Sequence, residues 1–373
     1  MHLDKTPILF IFDSVMLTVS LFTVLPFIVC LVWTVIISLD NAGGWKKYDR
    51  AYLAAFMLAC TLLYLGHAVH FNSAGGRMCF VDCIYAGTNL LVYPLFYLYV
   101  KQLTTPVKLN WNMAATLLPG LLVFLFSVYE LYVLGKLDIT HVLNRILFPF
   151  TVVMSSLGGF LCIRRHDSRV RELYSNTEAK TYGQLLWLMV LMLIASVVSI
   201  GLNHVGRDYF GRDILLAVPS SFFSAVLFAI AYVGSHIEFA AQDAAVDFPE
   251  PPEAEPDDEI DSLVGLASHL DAIMTEGALY QQPNLKITDL AEAVASNRTY
   301  VSKALNGIKG MSFSDYVNGY RIAKAKELLL SDDSYTMSVV AEKSGFLSDT
   351  TFYRQFKALT GLTPSQWLKT VKG

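Results

Sequence analysis

Two groups of polar side chains stand out in a chain that is 54% hydrophobic and only 16% charged. His67, His70, Asp82, Asn89, Glu130 and His204 lie within or beside long apolar stretches. Imidazoles, carboxylates and amides are costly to hold in such places and are often functional there. Together they have the chemistry to bind a small polar ligand. The second group lies between residues 287 and 367, where short helical patterns carry hydroxyl, amide and cationic side chains. Such groups can hydrogen-bond to the edges of base pairs. Catalysis finds no matching set. There is no His-Glu-x-x-His, no Gly-x-Ser-x-Gly and no P-loop pattern. His67 and His70 supply two ligands three residues apart, and two ligands do not make a metal site. Neither an enzyme nor a cofactor nor a bound metal is expected.

The first group must be positioned by apolar helices. A helix needs about 20 apolar residues to cross a bilayer core. Seven stretches qualify, near 16–38, 51–70, 81–100, 112–134, 146–163, 184–204 and 214–235. Asp13 interrupts the first apolar run, so 7–15 is expected at the interface. No small-residue cleavage site follows a short apolar core, which argues against a signal peptide. With the N-terminus outside, the inner loops carry ten Lys and Arg, led by the Arg-rich run 164–180, against six in the outer segments. That asymmetry favours this orientation, and seven spans then deliver the C-terminal part to the cytoplasm.

In this frame His67, His70, Asp82, Glu130 and His204 fall near the outer span ends. Asn89 lies about two turns deeper, roughly 10 Å. Two readings stay open: a ligand pocket that faces outward, or side chains at headgroup level that water satisfies. Tyr93, Phe96, Tyr97 and Tyr99 are expected in an aromatic belt at the inner interface. The five cysteines, Cys30, Cys60, Cys79, Cys83 and Cys162, are scattered over apolar segments and form no disulfide framework. Cys79 and Cys83 stand four apart and are expected to pack within a helix, with a redox pair or a metal site as the alternative.

Residues 243–261 hold nine acids, four prolines and no base. They cannot bury a core, so an extended, solvated tether is expected between a membrane domain at 1–242 and a domain at 262–373. Its charge repels both anionic headgroups and DNA, so it could also cover a DNA-binding face at rest. The last domain carries 12 bases and 10 acids. So small an excess says little about nucleic acid, and the pattern of residues must carry that argument.

Residues 288–296 read as a short amphipathic helix with Thr288 at its N-cap. Asn297-Arg-Thr makes a turn, and 300–306 forms a second helix with Val301 and Leu305 facing inward. Two helices joined by a short turn, the second carrying outward polar side chains, is the helix-turn-helix plan. The plan recurs in 339–346 and in 349–359, where Ser348 is the cap. A shift of 51 residues pairs Asn297 with Ser348, Val301 with Phe352, Lys303 with Arg354, Leu305 with Phe356, Gly310 with Gly361, Ser312 with Thr363 and Tyr316 with Trp367. The two units occupy about 287–308 and 338–359, and a helix near 314–330 joins them. Phe346, Phe352, Phe356 and Trp367 are expected in the core.

The run Gly345-Phe-Leu-Ser-Asp-Thr-Thr-Phe-Tyr-Arg-Gln-Phe-Lys357, with Thr360-Gly-Leu-Thr-Pro-Ser-Gln-Trp367 after it, resembles the C-terminal region of the AraC/XylS family of transcription regulators. Arg321-Ile-Ala-Lys-Ala-Lys-Glu-Leu-Leu329 resembles that family's linking helix. The likeness covers about 265–370. Asn306 departs from it, since many members carry a bulky or basic residue there. The soluble members' sugar-binding cupin is absent, so their ligand class does not carry over. A multi-span N-terminus is similar to membrane-embedded members of Bacteroidetes-type bacteria.

The resemblance implies two recognition helices in successive major-groove segments of double-stranded promoter DNA. Base-contact candidates are Arg298, Thr299, Ser302, Lys303 and Asn306, then Asp349, Thr350, Thr351, Arg354 and Gln355. Arg298 and Arg354 are the candidates for reading guanine, and Lys309, Lys357 and Lys369 for phosphates. The expected architecture is all-α: a seven-helix transmembrane bundle in the bacterial inner membrane, then a cytoplasmic tandem helix-turn-helix domain. The expected function is a one-component regulator that answers an unknown signal ligand met in the bilayer. RNA polymerase and a second copy of the chain are further candidate partners. The rival readings are a passive anchor and a transporter-like domain with regulatory DNA binding. Coupling is expected to run from the seventh span through the acidic tether.

Overall fold

The structure is a computed structural model. It describes residues 6–41, 48–72, 79–105, 111–177, 183–205, 217–236, 256–331 and 334–372. The described elements are helical, with one isolated bridge between Tyr174 and Lys286. By their contacts the residues form two units: Met1–Arg164 with Tyr182–Phe239, and Arg165–Thr181 with Ala240–Gly373.

The first unit contains α1 (Thr6–Asn41), α2 (Tyr48–Asn72), α3 (Cys79–Thr104), α4 (Trp111–Ala115), α5 (Leu118–Leu134), α7 (Gly183–Val205), α8 (Ala217–His236) and most of α6 (Asp138–Leu173). Six of these helices are long and apolar enough to cross a membrane, and α5 is a shorter apolar helix of 17 residues. Two details differ from the reading above. The run 7–15 continues into the same helix as the first span, Thr6–Asn41. The fourth apolar stretch breaks after Ala115 and restarts at Leu118, with Pro119 in the first turn of α5, where a missing N–H costs nothing.

Helix α3 is the centre of this unit. Its apolar window is 78% buried, against 28–39% for the other five long helices. Tyr93, Phe96 and Tyr99 are therefore core residues, not the interfacial belt expected from sequence. Tyr99 donates from its hydroxyl to the Gly234 carbonyl of α8 at 3.0 Å. Close approach of α3 and α5 depends on two glycines. A Cβ on Gly87 would stand 2.6 Å from Phe124 Cβ, and one on Gly120 would stand 2.6 Å from the Leu91 side chain. Small residues let apolar helices meet at such distances. Outward positions such as Leu122, Leu125, Ile146, Phe150 and Val153 remain exposed and apolar, as lipid-facing side chains would be.

The second unit contains α9 (Pro256–Glu276), α10 (Ile287–Ala293), α11 (Arg298–Lys303), α12 (Phe313–Ser331), α13 (Met337–Lys343), α14 (Asp349–Thr360) and α15 (Pro364–Lys372). Residues 256–261 of the acidic run are the first turns of α9. A proline and four acids suit a helix N-terminus; the rest of the tether expected over 243–261, residues 243–255, lies outside the described residues. The unit has two cores. Leu270, Leu290, Val301, Leu305, Phe313 and Val317 build one, and Ile322, Leu329, Val340, Phe346, Phe352 and Phe356 build the other. Helix α12 gives its first half to one core and its second half to the other. A single rigid helix of about 28 Å thus fixes the two halves relative to each other.

Candidate nucleic-acid interface

The first half is set by short-range hydrogen bonds. Asp289 accepts from the Lys286 N–H at 2.8 Å and starts α10 one residue before Thr288. Val294 to Asn297 form the turn, with Ala295 in the left-handed region at φ 50°. Asn297 Oδ1 then accepts from the Tyr300 N–H at 3.0 Å, so the second helix begins at Arg298 instead of Tyr300. Val301, Ala304 and Leu305 face the core. Regular helix stops after Lys303. Residues Ala304–Ile308 form a wider, π-helical turn in which the Lys309 N–H reaches back five residues to the Ala304 carbonyl at 3.2 Å. Asn306, the residue that departs from the family resemblance, lies in this turn and donates to Ser302 Oγ at 3.2 Å.

The second half follows the same plan with firmer parts. Thr336 Oγ1 accepts from the Val339 N–H and starts α13. Gly345 holds the left-handed turn at φ 87°. Ser348 Oγ accepts from the Thr351 N–H at 3.2 Å, and α14 runs for 12 residues to Gly361. The turn bonds match pair by pair. Ala295 N–H to Glu292 matches Gly345 N–H to Glu342, and Ser296 N–H to Ala291 matches Phe346 N–H to Ala341. These pairs stand 50 residues apart, whereas the caps Asn297 and Ser348 stand 51 apart. The second turn has gained one residue, Leu347, whose side chain is exposed.

The helical spacing places Thr350, Tyr353, Arg354 and Lys357 on one exposed face of α14. The corresponding residues of the first half are Thr299, Ser302, Lys303 and Asn306. Arg298 and Thr299 are half-buried, as are Ser302, Lys303 and Gln355, and Asn306 is exposed. The Lys303 ammonium lies 5.8 Å from the Tyr300 ring centroid. Three candidates are placed elsewhere than expected. Thr351 is buried and its hydroxyl meets that of its own cap, Ser348, at 3.1 Å. Asp349 accepts from Ser338 Oγ at 2.9 and 3.0 Å, which ties it to α13. Lys309 is half-buried and pairs with Asp271 at 2.6 Å. Lys357 and Lys369 are exposed. Tyr353 was not among the base-contact candidates; the 51-residue pairing with Ser302 marks it as an outward position. Phe346, Phe352 and Phe356 are buried, while Trp367 is only half-buried at the edge of their core.

Asp271 organises the first half. Besides Lys309 it accepts from the hydroxyls of Tyr316 and Tyr320, each at 2.9 Å. Burial pushes its carboxyl up, but the bonds from Lys309, Tyr320 and Tyr316 outweigh that and hold it below the usual carboxylate range. Arg321 lies fully buried near the junction of the two cores. It donates from Nε to the Tyr280 carbonyl at 2.7 Å and from Nη2 to the Gln282 carbonyl at 2.6 Å. Burial lowers its guanidinium to about 10, so it stays charged at neutral pH.

Among the described residues, the ligand-pocket candidates of the apolar unit have separate partners. Glu130 accepts from the Ile139 and Thr140 N–H groups at 2.8 and 2.9 Å and from Thr140 Oγ1 at 2.7 Å, so it caps the start of α6. Asn89 donates to Asn144 Oδ1 at 2.8 Å, and Asn144 donates to the Ala86 carbonyl at 2.8 Å, a polar lock between α3 and α6. His67 meets Tyr85 edge-on at 5.0 Å. Asp82 is buried in the first turn of α3. The side chains of His70, His204 and Cys79 lie outside the described residues; Cys83 is buried. Asn89 borders a cavity of about 40 Å³ with Cys60, Tyr64, Tyr93 and Ser199. A water needs about 10–15 Å³ measured in this way, so the space suits a few waters.

Residues 290–370 match the family described as helix-turn-helix domain. Among curated proteins the chain is 32% identical over 110 residues to the uncharacterized HTH-type transcriptional regulator YisR of Bacillus subtilis, covering 28% of this chain and 38% of that one. It is 33% identical over 86 residues to the uncharacterized HTH-type transcriptional regulator YtdP of the same organism, covering 23% and 11%. An uncharacterized response regulatory protein of Staphylococcus epidermidis is 27% identical over 104 residues, covering 28% and 41%. The chain thus spans well under half the length of these relatives, and no solved structure matches it. The C-terminal region of this chain is a helix-turn-helix domain similar to those of transcription regulators.

Proposed function

We propose that the chain is a membrane-embedded, AraC-type transcription regulator that binds promoter DNA through α11 and α14. The carrying observation is the repeated arrangement of two capped helices. They present equivalent outward positions and share one joining helix. A rigid spacing of two readers suits successive major-groove segments on one face of a duplex. Arg298 and Arg354 are the guanine-reading candidates, Thr299, Ser302, Lys303, Asn306, Thr350 and Gln355 the other base contacts, and Lys357 and Lys369 the phosphate contacts. Tyr353 joins this face. Helices α1–α8 hold the domain at the bacterial cytoplasmic membrane, with the domain in the cytoplasm and the apolar unit as the sensor. The placement of 165–177 in the unit of the DNA-binding domain supports this topology. Chain on either side of the pair α7 and α8 then lies on one face of the membrane.

Genome-wide DNA cross-linking of the full chain in living cells tests the reading. The wild type should enrich a few promoters, and a Thr350→Ala, Arg354→Ala double variant should lose them by about 30-fold or more. A wild type that enriches nothing over a deletion control would refute DNA binding. Promoter output that never varies across growth conditions at constant occupancy would leave the spans as an anchor.

A further inference from the structure

Helix α6 is 36 residues long, about 54 Å at 1.5 Å per residue, where a bilayer core needs about 30 Å. Its exposed apolar residues end at Leu161 and Arg164 and Arg165 follow. From Arg165 the chain belongs by its contacts to the DNA-binding unit, and that holds until Thr181. The segment has two faces. His166, Val170 and Tyr174 are buried at four-residue intervals, while Arg165, Ser168, Arg169 and Arg171 are exposed.

Its end is built into the first half of the tandem domain. Leu173 packs against the first core. Tyr174 pairs with Lys286, whose ammonium lies 5.9 Å from the Tyr174 ring centroid. Ser175 is 1% exposed. Its N–H and its hydroxyl both donate to the Leu285 carbonyl, at 3.1 and 2.8 Å. Its Oγ accepts from Arg321 Nη2 at 3.1 Å. Its carbonyl receives the longer contacts of Ser314 Oγ at 3.4 Å and Asn318 Nδ2 at 3.5 Å. One serine therefore engages the loop before α10 and three successive turns of α12, the helix common to both cores.

We propose that the face made by 282–286, Ser314, Asn318 and Arg321 is a docking surface for this chain's own residues 173–177, and that the apolar unit controls DNA binding through this clasp. The proposal rests on the DNA-binding reading above. Helix α6 is continuous from Asp138 to Leu173, so one helix leads from the apolar unit to the segment that carries Ser175. Release of Ser175 leaves Arg321 with its loop carbonyls but removes the tie between the loop and α12 at Leu285. The setting of α10 and α11 on α12, and so of the two recognition helices, depends on that tie.

The test uses the full chain in lipid nanodiscs and in cells. Ser175→Phe cannot fit the closed site, and Arg171→Ala changes an exposed residue of the same segment. Amide hydrogen exchange at Leu285–Lys286 and along 314–321 should rise by about tenfold or more in Ser175→Phe, with 349–360 unchanged and Arg171→Ala like wild type. Promoter output from Ser175→Phe should change about fivefold or more and stop responding to conditions that move the wild type. Should Ser175→Phe fail to accumulate, Ser175→Ala removes the hydroxyl without adding bulk and should raise the same exchange about two- to tenfold. Unchanged exchange in both variants refutes the clasp. Raised exchange with wild-type output and response refutes its regulatory role. A wild type that occupies no promoter refutes the DNA-binding reading instead, and leaves the exchange result standing.

Discussion

The two halves of the DNA-binding unit share one plan and differ in how firmly each part is made. The second half has a glycine where its turn needs φ 87°, an aromatic core, and a regular helix of 12 residues. The first half puts Ala295 at φ 50° and loses regular helix after Lys303. It is also the half that receives Asp271 from α9 and Ser175 from the segment after α6. The second half is built to hold one shape, while the first is braced from outside itself. A reader whose brace can be withdrawn is a natural point of control.

The largest way to break that contrast is at Gly345. A Cβ there would stand 2.7 Å from Gln281 Cα and from the Tyr280 carbonyl oxygen, both backbone atoms that cannot rotate away. Gly345→Ala adds that clash to a left-handed conformation, for a loss of about 4 kcal/mol. Thermal unfolding of the full chain in detergent, followed by the fluorescence of Trp367 in a background with Trp33, Trp45, Trp111 and Trp187 changed to Phe, should show the second half melting first. A midpoint within a degree of wild type would refute the close approach.

A smaller effect concerns charge. At equivalent positions the first half has Asn306 and the second has Lys357. Lys357→Ala should flatten the logarithmic salt dependence of promoter binding by about 0.9, so the variant loses about threefold less affinity than wild type between 50 and 200 mM salt. Asn306→Lys should steepen it by a similar amount, copying the second half. If Asn306→Lys leaves the slope unchanged, the π-helical turn keeps that position away from DNA and the halves are not equivalent readers.

Much of this contrast follows from local rules. The cap at Ser348 and the joining helix α12 were legible because capping and helical periodicity act within a few residues, whereas Asn297 was read as part of a turn and caps the helix at Arg298. The one-residue slip at Leu347 was not, since the 51-residue pairing begins at the caps and the 50-residue pairing lies in the turns before them. Lys309 was read as a phosphate contact because its partner Asp271 is 38 residues away. Tyr93, Phe96 and Tyr99 were assigned to a belt because an apolar helix facing lipid and one facing protein have the same composition. Glu130 looked like a ligand group until the bend into α6 brought N–H groups to it. The clasp was the least legible, as Ser175 meets Leu285 from 110 residues away and nothing in a run rich in arginine announces a buried serine.

Acid should separate the halves more gently. Asp271 has its carboxyl held below the unfolded range, so its contribution to the first half is complete above that range and is lost as pH falls through the lowered value. Amide exchange along 287–308 in the full chain should therefore accelerate below about pH 4, ahead of 338–360. Asp271→Asn should remove that acid step, and a step that persists in the variant would place the titrating group elsewhere.

The smallest effect tests the turn of the first half. Ala295 adopts a backbone conformation that costs an L-residue roughly 1–2 kcal/mol, and Gly would relieve it while adding freedom to the unfolded chain. The net gain expected from Ala295→Gly is about 0.5 kcal/mol, measured as slower exchange across 287–301. Gly345→Ala and Ala295→Gly then move stability in opposite directions at equivalent positions. Equal losses from both would mean that the two turns are not the same structure. A stabilised first half should also depend less on its brace. Adding Ala295→Gly to Ser175→Ala should recover part of the protection lost at Leu285, because a turn that holds its own shape has less need of the clasp.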